Sequence, residues 1–228
     1  MDLYLNEYKE LNKIFRDNGY KLYLVGGTVR DYLLNIPLTD MDAVTDATPA
    51  EMKAFLKDAN YTFEKYGSVT YKTEKKVKFD ITTLREECEY SDSRHPGEIK
   101  FVKDLSIDVK RRDFTVNALY LDEQLNVIDL VGGKEDLEHR LLRMIGDPHK
   151  RLVEDPLRII RAIRFACDYN LGFDKELETA IVDTASELEK VNIDKIKMDL
   201  KKCKSDSCDE VLKYFKKFHI KHLDDVLK

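Results

Sequence analysis

The sequence predicts an α+β chain, with a mixed head of helices and short strands over residues 1–133 and an all-helical segment over residues 134–228. Two observations carry this. Apolar and polar residues alternate with period two in DMDAVT and VKFDITTL, and these stretches lie among helix-like segments in the first part of the chain only. From Lys134 onward no strand pattern survives, and residues 134–228 read as four or five helices. With 228 residues and 43% apolar content, the chain can bury one large core or two modest ones.

Leu3, Leu5, Tyr8, Leu11, Ile14 and Phe15 lie at helical spacing and predict a helix over 2–18, ended by Asn18-Gly19. KLYLVGG predicts a short strand, TVRDYLLN a helix start, and DMDAVT a second strand. Thr48-Pro49-Ala50-Glu51 is a helix opening, with threonine as N-cap, proline at the first helical position and a carboxylate in the first turn. That helix is expected to run to about Asp58. Residues 61–84 read as successive strands turning at Gly67-Ser68 and Glu74-Lys75-Lys76. REECEYSDSRHPGE has no period and reads as a long loop. FTVNALYLDEQLNVIDLVGG then predicts a helix or strand, a turn and a further strand.

Composition excludes several classes. Mean hydropathy is −0.49, and no apolar run approaches the roughly 18 residues of a membrane span. The N-terminus, MDLYLNEYKELNKIF, carries acids and lacks a signal-peptide pattern, so the expected location is the cytoplasm. Four scattered cysteines do not make a disulfide scaffold, and CKSDSC has no further soft ligands nearby to complete a metal site. The net charge of −5 argues weakly against a polyanion partner, yet residues 190–228 hold eleven lysines against seven acids. That basic tail either contacts phosphates or is a solvated helix face.

On a strand, residues two apart project from one face, so Asp40 and Asp42 aim both carboxylates at one point. Crowded carboxylates are comfortable around a cation, and Mg²⁺ is usually held by one or two carboxylates plus substrate phosphates. A bare DxD also fits a solvated strand end. The preceding VGGTVRD adds a Gly-Gly turn between a strand and a helix, where backbone N–H groups can approach a phosphate, with Arg30 in the first helical turn. It is neither a Walker motif nor GxGxxG, and a turn that merely packs helix on sheet is the plainer alternative. Asp80, on the face opposite Phe79 and Ile81, is either a third carboxylate for this site or a surface strand residue. Arg112 is a candidate contact for a triphosphate or base, with Asp113 orienting it or acting as an N-cap.

EDPLRIIRAIRFA carries the sharpest signal. Pro156 opens a helix, with Glu154 and Asp155 at its positive end. Arg158, Arg161 and Arg164 recur every third residue among apolar neighbours, so this helix is expected to be largely buried. Buried guanidiniums need anions. Structural salt bridges would satisfy one of them, and a nucleotide pocket is favoured over three carboxylate partners. Asp155 and Arg158, one turn apart, match the amine donor and ring-nitrogen acceptor shared by cytosine and adenine, and mismatch uracil and guanine.

VGGTVRDYLLNIPLTDMD, RRDFTVNAL and EDPLRIIRAIRFA, in this order, resemble the class II tRNA nucleotidyltransferases, the CCA-adding enzyme and bacterial poly(A) polymerase group of the DNA polymerase β superfamily. The resemblance spans about residues 20–170, and the segment REECEYSDSRHPGEIKFVKDLSIDVKRRDF resembles the family's flexible loop. It implies a polymerase-β-like nucleotidyltransferase head, built on a small mixed or antiparallel sheet with helices, followed by an all-helical neck. It implies Mg²⁺ on Asp40 and Asp42, nucleotide contacts from Gly27, Arg30 and Arg112, and base and phosphate recognition by Asp155, Arg158, Arg161 and Arg164. Glu154 opens the last motif without a clear role.

The activity so implied is template-independent addition of C and A to tRNA 3′ ends from CTP and ATP. Poly(A), CC-only and A-only addition are rival activities, and a non-catalytic nucleotide- or RNA-binding module is the rival of another class. Family members usually continue into body and tail domains, whereas this sequence stops at Lys228. The expectation is therefore a short form, a fragment or part of an oligomer. Tyr214, Phe215 and Phe218 in the basic tail are read as helix packing first and base platforms second.

Overall fold

The computed structural model describes residues 2–90, 96–203 and 208–220. The chain divides into two compact units, residues 1–89 with 98–112 and 116–134, and residues 90–97 with 113–115 and 135–228.

The first unit opens with α1 (Asp2–Asp17), β1 (Leu22–Val25), α2 (Gly27–Leu33), β2 (Met41–Thr45) and α3 (Pro49–Met52). It continues through β3 (Ser68–Lys72), β4 (Lys78–Thr83), β5 (Arg85–Tyr90), β6 (Pro96–Phe101), α4 (Leu105–Asp108), β7 (Tyr120–Leu121) and β8 (Val127–Ile128). Six strands form one mixed sheet in the order β3-β4-β2-β1-β7-β8, in which β2 and β4 run parallel and the other pairs antiparallel. The predicted apolar face of α1 supplies the fully buried Tyr8, Leu11 and Phe15. The Tyr8 hydroxyl is not left unsatisfied: it lies 3.0 Å from the Leu22 carbonyl and 3.1 Å from that of Leu121, tying the helix to two strands.

Several expectations are corrected. α3 opens on the predicted Thr48 N-cap, and the structure adds a capping box, with the Glu51 amide donating to Thr48 Oγ1 and the Thr48 amide to Glu51 Oε2. It ends at Met52 rather than near Asp58, because Asn60 must turn back to bridge Thr70 in β3. Residues 61–67 form a 3₁₀ turn, Glu64–Tyr66, closed by Gly67 at φ +78°, instead of a strand. A Cβ at Gly67 would stand 2.7 Å from the Phe101 ring, so both the backbone and the space demand glycine. The polar segment expected as a loop pairs β5 with β6 as a two-stranded sheet. A ladder held by backbone hydrogen bonds needs no apolar alternation, which is why no period announced it. The centre of that segment, residues 91–95, lies outside the described residues.

The second unit contains β9 (Leu141–Leu142), α6 (Pro148–Glu154), α7 (Leu157–Tyr169), β10 (Gly172–Phe173), α8 (Lys175–Thr184), α9 (Ile193–Leu200) and α10 (Cys208–Lys217), and α5 (Gly133–Glu138) leads into it. Among the described residues, helices here outnumber the four or five expected, and β9 pairs with β10 in parallel. Strands of two residues are too short to leave an alternation. α7 forms the core, with Ile159, Ile160, Ala162 and Ile163 fully buried. As expected, a helix opens at Pro156 and runs on as α7, and a separate helix, α6, precedes it. Glu154 ends α6, and Asp155, extended at φ −143° before Pro156, separates it from α7. Phe215 and Phe218 are buried, and Phe173 packs edge-on against Tyr214 and Phe218, so these tail aromatics are packing residues rather than base platforms. Lys221 and His222 of the basic tail lie outside the described residues.

Candidate functional site

In the first unit, the turn from β1 into α2 brings Gly26, at φ +65°, against β2. A Cβ at Gly27 would lie 3.4 Å from Arg30 Nη2 and 3.7 Å from Asp42 Oδ2, so the bare glycine leaves the carboxylate uncovered. Thr28 fastens this turn to the DxD segment: its hydroxyl accepts the Asp42 amide at 2.8 Å and donates to the Asp40 carbonyl at 3.3 Å. Asp40 stands just before β2, and Asp42 is its second residue. Parallel pairing places Asp42 directly opposite Asp80 of β4.

As alternation predicts, Phe79 and Ile81 are buried while Asp80 turns the other way, accepting from Thr70 Oγ1 at 2.8 Å and Lys78 Nζ at 2.7 Å. Asp42, Asp80, Gly26, Arg85, Arg111 and Arg112 line one open cleft of about 360 Å³. Solvent reaches Asp42 through its mouth. Even so, partial withdrawal from water and the charges of Asp80 and Asp40 push the Asp42 carboxyl up to about 6, against the pull of Arg112 and Arg30.

Arg30 does not line this cleft. It is buried, donating from Nη1 to Asn117 Oδ1 and from Nε and Nη2 to Asp31 Oδ1 at 3.0 and 2.9 Å. Arg112 does line it, but Asp113 does not orient it. Arg112 Nε donates to Asp108 Oδ2 and lies 3.1 Å from the Tyr120 hydroxyl. Asp108, Asn117 and Thr28 escaped the sequence reading. Asp108 stands three and four residues before Arg111 and Arg112, the spacing of facing groups on a helical turn, which is a usable signal. Asn117 leaves only a weak one, a lone amide in an apolar run.

The second unit gathers Asp155, Arg158, Arg161 and Arg164. Against expectation, all three arginines meet carboxylates. Arg158 lies 3.6 Å from Glu154 Oε2 and donates to the Arg151 carbonyl at 2.6 Å. Arg161 donates to Asp113 Oδ2, from Nε at 2.9 Å. Arg164 donates to Asp199 Oδ1 at 2.8 Å and lies 3.7 Å from Asp168 Oδ2. Asp113 and Asp199 arrive from 48 and 35 residues away, which spacing along one helix cannot reveal. Burial pushes the Asp113 carboxyl up, but Arg161 outweighs it and holds it below the usual range. Asp155 Oδ1 accepts the Leu157 amide at 3.2 Å, capping α7.

Among the described residues, no three His, Cys, Asp or Glu side chains form a metal-holding group, and no helix is long and apolar enough to cross a membrane. Cys167 and Cys203 are in no disulfide, and burial pushes the Cys167 thiol up to about 12.

A family model described as the poly A polymerase head domain matches residues 22–143. A CCA-adding enzyme of Enterococcus faecalis is 40% identical over 200 residues, 86% of this chain and 49% of that protein. One of Streptococcus suis is 42% identical over 177 residues, 78% of this chain and 44% of its own length. The chain thus spans about half the length of the curated relatives it matches. Among solved structures, the CCA-adding enzyme of Bacillus stearothermophilus in complex with CTP superposes with a TM-score of 0.81 at 31% identity, covering 93% of this chain and 49% of that one. A tRNA nucleotidyltransferase complexed with a primer tRNA and an incoming ATP analog gives 0.77 at 26% identity, covering 95% of this chain and 62% of that one. The mixed sheet and helices are those of a polymerase-β-like head.

Proposed function

We propose that this chain, which belongs to the poly A polymerase head-domain family, adds C and A nucleotides to tRNA 3′ ends from CTP and ATP, releasing pyrophosphate without a template. The observation that carries the reading is the Asp40–Asp42 segment, hydrogen-bonded through Thr28 to the Gly26–Gly27 turn and facing a cleft that also holds Arg111 and Arg112. The relatives named CCA-adding enzyme favour full CCA addition over poly(A), CC-only or A-only activity. The solved complexes with CTP, with an ATP analog and with a primer tRNA supply the substrate classes. An enzyme of tRNA processing belongs in the cytoplasm.

Asp40 and Asp42 are the residues that would hold Mg²⁺. Burial first, and then the neighbouring carboxylates of Asp80 and Asp40, raise the Asp42 carboxyl, and two hard oxygen donors suit an ion completed by waters and substrate phosphates. An ion held there by Asp40 and Asp42 would supply charge neutralisation for the triphosphate and would lower the pKa of the attacking 3′-hydroxyl. Gly26 and Gly27 let the backbone approach a phosphate, and Arg112 draws the triphosphate electrostatically. Arg30, held by Asn117 and Asp31, stands against Gly27 beside Asp42 and steadies the glycine turn. In the second unit, we assign base choice to Asp155 and Arg158, and phosphate recognition to Arg161 and Arg164. These arginines exchange a carboxylate for the incoming anion. We infer that residues 1–133 form the catalytic head and residues 134–228 the recognition neck.

The test incubates a tRNA lacking its last three nucleotides with Mg²⁺ and CTP, ATP or both. Growth by three nucleotides with both substrates, and by two with CTP alone, supports the reading. Growth with ATP alone into long tails makes it a poly(A) polymerase, and no growth with any mixture refutes transfer.

A further inference from the structure

We propose that Asp108 is the positioning residue that holds Arg111 and Arg112 over the cleft; the proposal rests on the nucleotidyltransferase reading. Asp108 is fully buried, and it is not a wall of the cleft. Its carboxylate is engaged from four chain positions: Arg111 Nε donates at 2.8 Å, Arg112 at 3.1 Å from Nε and 2.9 Å from Nη2, the Tyr120 hydroxyl at 3.2 Å, and the Arg85 amide at 3.2 Å. Burial alone raises such a group, yet Arg112 and Arg111 hold it ionised, below the usual carboxylate range.

Two guanidiniums side by side repel, and an arginine keeps much rotamer freedom unless it is held. A single buried carboxylate between them cancels the repulsion and fixes both through their Nε edges. The pair faces Asp42 and Asp80 with a net positive charge, set against the negative charge that a triphosphate brings. The Arg85 amide bond adds a further link, since Arg85 begins β5 and lines the same cleft. Asp108 thus acts on the nucleotide only through the arginines, and through its phosphates rather than its base.

The experiment compares wild type with Asp108→Asn, measuring KM and kcat for CTP and for ATP and, by calorimetry, the dissociation constant of inorganic triphosphate. The expected result is a common rise of about ten-fold in both KM values and in the triphosphate constant, the scale of one lost charge-assisted contact. In a background with both Arg111→Ala and Arg112→Ala, Asp108→Asn should add less than two-fold. Unchanged constants, a rise confined to one base, or the full ten-fold persisting without both arginines would overturn the proposal. Melting curves accompany each protein. Should Asp108→Asn not fold, Asp108→Glu keeps the charge and displaces it by one methylene, and a wild-type KM in that variant is equally decisive against the idea. A wild type that transfers no nucleotide sinks the functional reading alone, because triphosphate binding still reports on Asp108.

Discussion

Replacing Asp42 by asparagine should make the metal-free protein more stable while abolishing the proposed nucleotide transfer. The carboxyl of Asp42 is pushed from 3.8 up to about 6. A folded-state value raised above the unfolded one means that the native state holds the proton more tightly, so stability is lost as pH rises through about 4 to 6. At pH 7 the unscreened cost of keeping this group ionised is about 3 kcal/mol. Solvent reaches the carboxylate, so screening reduces the expected gain in Asp42→Asn to about 1 kcal/mol. For a chain of this size that is about 2–4 °C in Tm. The assay is thermal unfolding in excess chelator at pH 7 and at pH 4, repeated with Mg²⁺ and CTP. The variant should melt higher at pH 7, equal to wild type at pH 4 where both side chains are neutral, and gain less from Mg²⁺ and CTP than wild type. A variant that melts at or below wild type at pH 7, or keeps its advantage at pH 4, would refute the crowded-carboxylate argument. Transfer by the variant at the wild-type rate would refute the metal assignment.

Asp155→Ala should lower the ratio of kcat/KM for CTP over UTP by about one to two powers of ten, the value of a good polar contact, with little loss of triphosphate binding. An unchanged ratio on one tRNA acceptor would leave Asp155 as the cap of α7 alone. Arg161→Met strands the Asp113 carboxylate and should cost about 2 kcal/mol in urea unfolding at pH 7. Because Arg161 holds Asp113 below the usual range, that contribution is present above about pH 4 and fades below it, and Asp113→Asn in the same background should recover much of the loss.

The motifs whose chemistry is local were legible from residue order alone. The Gly-Gly turn, the strand-borne Asp42 and Asp80, and the arginines of α7 stand where period and spacing put them. What escaped was set by partners distant in the chain. The arginine stripe looked like three cations awaiting an anion, because nothing near residue 161 or 164 announces Asp113 or Asp199. The β5–β6 pair was hidden for a related reason, since its polar side chains carry no burial signal.

By itself, then, the sequence determined a mixed α and β first part followed by helices, and the residue types proposed to hold a nucleotide and a metal. It could do so because amphipathic periodicity and capping are encoded within a few residues. Only the tertiary structure decided which charge meets which. It set Asp42 beside Asp80 through a parallel strand pairing, gave Arg112 to Asp108 rather than Asp113, and gave Arg30 to Asn117. Buried charges must find counter-charges at a few ångströms in three dimensions, and that distance has no fixed relation to separation along the chain.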